Sequence, residues 1–167
     1  IDNAPLVPAW EAKFRDEARL KAAHYGTVLE GNDLTLGQAK LIMDRAVENP
    51  AEAAEAGVVA RERDVQEVIN YRKVLDFIEG SKEGEYTKDL LLNIHKLAVE
   101  KLVDLAGEFR SVQVVLRNSV TGEIGFRPPV ASEVPGLVDD FVGWLNSEKG
   151  KAEHPVLRAG VAHYVLA

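Results

Sequence analysis

Residues 111–129 read "SVQVVLRNSVTGEIGFRPP". The stretch is rich in Val, Ile and Phe, and a turn cluster with Thr121-Gly122 sits inside it. It predicts a β-hairpin with strands over 112–117 and 124–127, closed by Pro128-Pro129. A two-stranded hairpin is marginally stable in water. It must therefore pack on something or bind something, and its apolar content exceeds what an idle loop needs.

Outward from this stretch the period becomes helical. Pro8 suits a first helical turn, Trp10 and Phe14 share a face, and Leu20, Ala23 and Thr27 carry the helix toward Gly31. Asn32 and Asp33 read as a turn. Thr35 and Gln38 have capping-box spacing, which predicts a helix from Leu36 to Val47 with Leu36, Ala39, Ile42 or Met43, and Ala46 on one side. "ENPAEAAEAG" (48–57) reads as an interruption, because Pro50 disfavours helix at Asn49. Val65, Val68, Ile69, Arg72, Leu75 and Ile78 follow at three-and-four spacing up to Gly80. Thr87 caps another helix, whose Leu90, Leu91, Ile94, Leu97, Ala98 and Leu102 face a core; Gly107 ends that region. Beyond the hairpin, helix returns at Ser132 with Val134, Leu137, Val138, Phe141, Val142 and Leu145 as its stripe. "NSEKGKAEHP" (146–155) reads as a loop, and Pro155 opens a last helix. The fold class is mainly α: a helical bundle with one β-hairpin, without internal repeats, in one domain.

Composition narrows the function. The chain has 167 residues, 46% hydrophobic and 28% charged, with net charge -7 and no cysteine. A scattered minority of basic residues argues against direct nucleic-acid binding, which needs a basic face. Disulfides, a cysteine nucleophile and thiolate metal sites are excluded, which fits a cytoplasmic location. No apolar run approaches the roughly 20 residues of a membrane helix. The first residues show no signal-peptide pattern, and the sequence lacks an initiator Met. "HPVLRAGVAHYVLA" (154–167) stops without a cap, so the chain reads as part of a longer protein.

The histidines form no metal-ligand spacing. His95 reads as a satisfied boundary residue, His154 as a helix starter and His163 as a packing residue. His24 precedes a second oddity. Glu30 stands directly before Gly31, in the last turn of the first helix. Exposed carbonyls there disfavour a carboxylate by roughly 0.3–1 kcal/mol.

The order of features resembles the Fic family. "LLLNIHKLAVEKLVDLAGEFRSVQVVL" is similar to the entry into a Fic domain, with Ile-His, then Gly-x-x-Arg, then a flap hairpin. "FRPPVASEVPGLVDDFVGWLNSE" is similar to the family's Pro-Pro, Val-Pro and Trp-Leu-Asn segment, and "HPVLRAGVAHYVLA" to the helix before the catalytic loop. "HYGTVLEGNDLTL" (24–36) resembles the Ser/Thr-x-x-x-Glu-Gly/Asn inhibitory motif. The resemblance divides the chain into an inhibitory-type helix (1–34), a helical region (35–88) and the N-terminal part of a Fic domain (89–167). Two positions depart from the pattern. Gly26 stands where the motif has Ser or Thr, with Thr27 one residue later. The His-Pro-Phe and Gly-Asn-Gly-Arg signature is not among these residues.

The resemblance implies AMP transfer from ATP, with magnesium, to a Ser, Thr or Tyr hydroxyl of a protein. It assigns no catalytic or metal residue to this chain, which should be inactive alone. Glu30 is the implied brake, pairing with the signature's arginine. Val115, Leu116, Arg117 and Asn118 are implied to border the nucleotide. Val112, Gln113, Val114, Ile124 and Phe126 form the flap that docks an extended target segment by main-chain pairing. Arg110 is read as a structural anchor of the flap. A protein substrate is the expected partner, and a homodimer stays open. Removal of AMP, or transfer of UMP, phosphocholine or phosphate, are alternatives within the family. A non-catalytic helical interaction module is the alternative outside it.

Overall fold

The three-and-four periodicity becomes eight α-helices in the computed structural model, which describes residues 7–81 and 84–166. They are α1 (Pro8–Leu29), α2 (Leu36–Asp44), α3 (Pro50–Glu55), α4 (Glu62–Gly80), α5 (Lys88–Val99), α6 (Val134–Asn146), α7 (Glu148–Ala152) and α8 (Pro155–Leu166). Strands β1 (Leu116–Arg117) and β2 (Ile124–Phe126) lie between α5 and α6, and a 3-10 turn at Ala131–Glu133 leads into α6.

Local signals explain most boundaries. The Thr35 and Gln38 capping box forms in full at the start of α2. Helix α2 is shorter than predicted. It ends at Asp44, and Ala46 turns to φ 49°, which brings Val47 into the core at 3% exposure. Leu36, placed inside by the period, is exposed, and Leu34 is buried instead. The interruption predicted at 48–57 contains a helix. Asn49 accepts from the Glu52 amide at 3.0 Å, and Pro50 occupies the first turn, where no amide is needed. The loop predicted at 146–155 likewise contains α7, because the Ser147 hydroxyl caps it by accepting from the Gly150 amide at 3.0 Å.

Two compact units emerge, residues 1–82 with 96–106 and residues 83–95 with 107–167. The first closes over Leu34, Ala39, Ile42, Val47, Ala53, Val58, Val65, Val68 and Ile69. Asn70, fully buried, donates to the carbonyls of Ala98 (3.1 Å) and Glu100 (2.8 Å) and accepts from Gln66 (2.8 Å). That trio satisfies a buried amide whose unpaired groups would each cost about 1–3 kcal/mol. Arg19 of α1 pairs with Asp76 and Glu79 of α4.

In the second unit Phe141 and Leu145 are the buried pair of α6, and Phe141 stacks on Trp144 with ring centres 6.2 Å apart. Val134, Val138 and Val142 are half-buried, and Leu137, predicted inside, is exposed. The predicted core face of α5 is also incompletely covered: Leu90, Leu91 and Ile94 are half-buried and line an open groove of about 340 Å³ with Phe141 and Leu145. The side-chain amide of Asn146 exchanges two hydrogen bonds with the Tyr86 backbone, at 2.9 and 2.7 Å. The Arg158 guanidinium lies 5.1 Å from the Tyr86 ring centre.

The hairpin ladder is shorter than its sequence suggests. Leu116 pairs with Phe126 and Arg117 with Ile124, so Gly125 is an extra residue, a β-bulge. Residues 112–115 lie outside the ladder. Pro128 and Pro129 have no amide to offer them, which limits pairing on that side.

Candidate functional site

Glu30 is the C-cap of α1 (φ -91°, ψ 9°). Gly31 follows at φ 90°, a left-handed conformation that glycine adopts at little steric cost. The Gly31 amide donates to Val28 O at 3.0 Å and the Asn32 amide to Thr27 O at 3.1 Å. These two bonds make a Schellman ending. Glu30 is exposed, and among the described residues its carboxylate makes no hydrogen bond or ion pair. The helix end thus presents the disfavoured charge outward without local compensation.

Asn32 anchors that ending. It is buried, donates to Asp64 O and Glu67 Oε2, both at 2.9 Å, and accepts from the Leu34 amide at 3.0 Å. Arg61 closes the outer side. Its Nη2 donates to Gly31 O at 3.0 Å and meets Asp33 Oδ2 at 3.0 Å, while Nε donates to Asp64 Oδ2 at 2.9 Å. The hydrogen bond to Asp64 first, then the charges of Asp64 and Asp33, raise the Arg61 pKa. No local pattern in the sequence predicts this network. The Asp33, Arg61 and Asp64 charges were visible, but their convergence joins segments about 30 residues apart.

Thr27 is buried, and its hydroxyl turns back along α1, 3.0 Å from Ala23 O and 3.1 Å from His24 O. At Gly26, where the resemblance expects a hydroxyl, an added Cβ would lie 2.9 Å from Cε2 of Tyr71. The missing side chain is a packing consequence: the Tyr71 ring fills its place.

The structure brings Leu116, Arg117 and Asn118 together with Ile124 and Phe126 in the hairpin. Arg117 donates to Gly122 O at 3.0 Å. Asn118 Oδ1 accepts from the amides of Val120 (2.8 Å) and Thr121 (3.0 Å). Val115 is half-buried; Val112, Val114, Leu116 and Phe126 are exposed, and Ile124 is half-buried. Gln113 donates to Pro128 O at 3.1 Å, and Arg110 donates to Val112 O (3.2 Å) and to Pro129 O. Side chains therefore tie the hairpin base where prolines interrupt the ladder, and Arg110 is an anchor.

His95 Nδ1 accepts from the Gly107 amide at 3.0 Å, and His154 Nδ1 from the Val156 amide at 3.3 Å at the start of α8. His163, read as a packing residue, is exposed. Among the described residues, His24 Nδ1 is buried without a hydrogen-bond partner. Among the described residues no three His, Asp or Glu side chains converge as metal ligands would. None of the described helices is long and apolar enough to cross a membrane.

A mainly helical chain with one hairpin, its base tied by Arg110, is the arrangement the sequence resemblance implies. Residues 85–167 match the sequence model of the Fic/DOC family, and the chain belongs to that family. It is 32% identical over 149 residues to protein adenylyltransferase fic-1 of Caenorhabditis briggsae, and 28% identical over 167 residues to protein adenylyltransferase Fic of Culex quinquefasciatus. These alignments cover 85% and 99% of this chain but 26% and 31% of the relatives, so the chain spans under a third of their length. Among solved structures, a Fic-domain signaling protein from Bacteroides thetaiotaomicron matches 96% of this chain and 58% of its own, with TM-score 0.79 and 26% identity. A Fic-1 structure from C. elegans matches 97% of this chain and 44% of its own, with TM-score 0.71 and 26% identity.

Proposed function

We propose that this chain is part of a self-restrained Fic protein adenylyltransferase in which Glu30 is the brake. One observation carries the reading: an exposed carboxylate, unpaired among the described residues, sits on a fixed helix ending in a chain related to protein adenylyltransferases over most of its length. In the reaction, the target hydroxyl oxygen bonds to the α-phosphorus of magnesium-bound ATP, the bond to the β-phosphate oxygen breaks, pyrophosphate leaves, and a base takes the hydroxyl proton. The catalytic signature is not among these 167 residues, and this reading assigns catalysis to the full-length enzyme. Its share is regulation and target docking. Glu30 pairs with an arginine of the signature, as charge-assisted carboxylate–guanidinium pairs do, and so keeps ATP from its productive pose. The hairpin offers its free edge to an extended target segment.

The test is labelling of protein by full-length enzyme with labelled ATP. Glu30→Gly should raise the rate by about tenfold or more, since each 1.4 kcal/mol is a factor of ten. No gain would remove the brake. Labelled UTP, CDP-choline and γ-labelled ATP, run in parallel, distinguish adenylyl transfer from the family's other transfers.

A further inference from the structure

We propose that Arg61 is a positioning residue for Glu30, holding the Gly31–Asn32 peptide just beyond it and so steadying the helix ending from which the carboxylate leaves α1. This rests on the reading of Glu30 as a brake. A single guanidinium spans three acceptors, Gly31 O, Asp33 Oδ2 and Asp64 Oδ2, within 3.0 Å of each. Gly31 is the residue after Glu30, and its φ of 90° lies in a region only glycine enters and leaves freely. Two backbone bonds tie the successive peptides on either side of Gly31 to the helix, from the Gly31 amide to Val28 and from the Asn32 amide to Thr27. Asn32 holds the far side from beneath, being buried against α4. Arg61 supplies the remaining restraint, on the Gly31 carbonyl itself. Without it the 31–32 peptide, which carries that carbonyl, can rock about the glycine while the Asn32 side chain stays anchored.

Arg61 also faces the buried carboxylate of Asp64, so Arg61→Ala costs stability as well, and the comparison with and without Glu30 is what separates the two effects. Arg61 precedes α4 and its side chain is 59% exposed, whereas the α4 core residues Val65, Val68 and Ile69 are buried. Asp33 is 82% exposed, and its carboxylate meets Arg61 on the solvent side. Lysine cannot replace the fork, because one ammonium lacks its fixed, divergent donors.

Full-length enzyme carrying Arg61→Ala should label protein about two- to fivefold faster, the span of its exposed contacts to Gly31 O and Asp33. The same substitution placed on Glu30→Gly should change nothing, because the group it positions is gone. Asp33→Ala should give a smaller gain, and Arg61→Lys an intermediate one. Amide exchange in the same protein should quicken at Gly31 and Asn32 in Arg61→Ala. A gain of equal size with and without Glu30, or no gain where Glu30→Gly itself gains, overturns the positioning role. Unchanged exchange at Gly31 and Asn32 overturns it whatever the labelling shows. If Glu30→Gly gains nothing, the brake reading itself has failed, and Arg61 has no brake to position.

Discussion

The Tyr71 ring of α4 occupies the space that a side chain at Gly26 of α1 would need, with Cε2 2.9 Å from the ideal Cβ position. The helices pack closely here because one of them presents bare backbone. Glycine in a helix interior gives up about 1 kcal/mol relative to alanine. The close approach is what offsets that cost.

Gly26→Ala tests this balance. Propensity alone predicts a gain of about 1 kcal/mol, whereas overpacking against an aromatic ring typically costs about 1–3 kcal/mol. We expect a net loss of about 1 kcal/mol by urea denaturation. Shortening the ring in Tyr71→Leu should shrink the penalty of the second substitution. A more stable Gly26→Ala would show that the ring moves aside freely.

Arg19 fastens α1 to α4 through Asp76 and Glu79. Burial works against its charge, but hydrogen bonds and charge attraction from Glu79 and Asp76 outweigh it and raise its pKa. A raised pKa means that this stabilisation is fully present below the ordinary arginine range. It is lost only as pH climbs through the folded-state value. Between about pH 6 and about pH 10 the cost of Arg19→Ala should therefore stay flat. It should shrink with added salt, since screening shortens the reach of partly exposed charges. A cost that decays within that pH window would contradict the pairing.

Asn146 and the Tyr86 backbone exchange two hydrogen bonds, the amide imitating a neighbouring strand. Asn146→Asp keeps the acceptor and loses the donor, leaving a carboxylate facing the Tyr86 carbonyl. The loss should be about 0.5–1.5 kcal/mol, the scale of one such bond near the surface. Faster amide exchange at Tyr86 would localise it. Asn146→Asp with wild-type stability would remove the imitation from the account.

The sequence by itself determined the helices and the hairpin, because periods of 3.6 and 2, caps and prolines act over a few residues. The capping box at Thr35, the start of α8 at Pro155 and the glycine stop at Gly31 were all legible this way. Glu30 could be singled out from its place in the last turn. Short helices escaped where the capping residue, Asn49 or Ser147, was visible but the following run was polar and brief. Tertiary structure decided the rest. Whether Leu36 or Leu34 enters the core depends on where the chain turns, and the ladder of β1 and β2 stops where a bulge and two prolines leave too few amides. Why Gly26 lacks a hydroxyl, and what holds the peptide after Glu30, depend on Tyr71 and Arg61 arriving from another helix segment. Such contacts join residues 30 or more positions apart, and no local period encodes them.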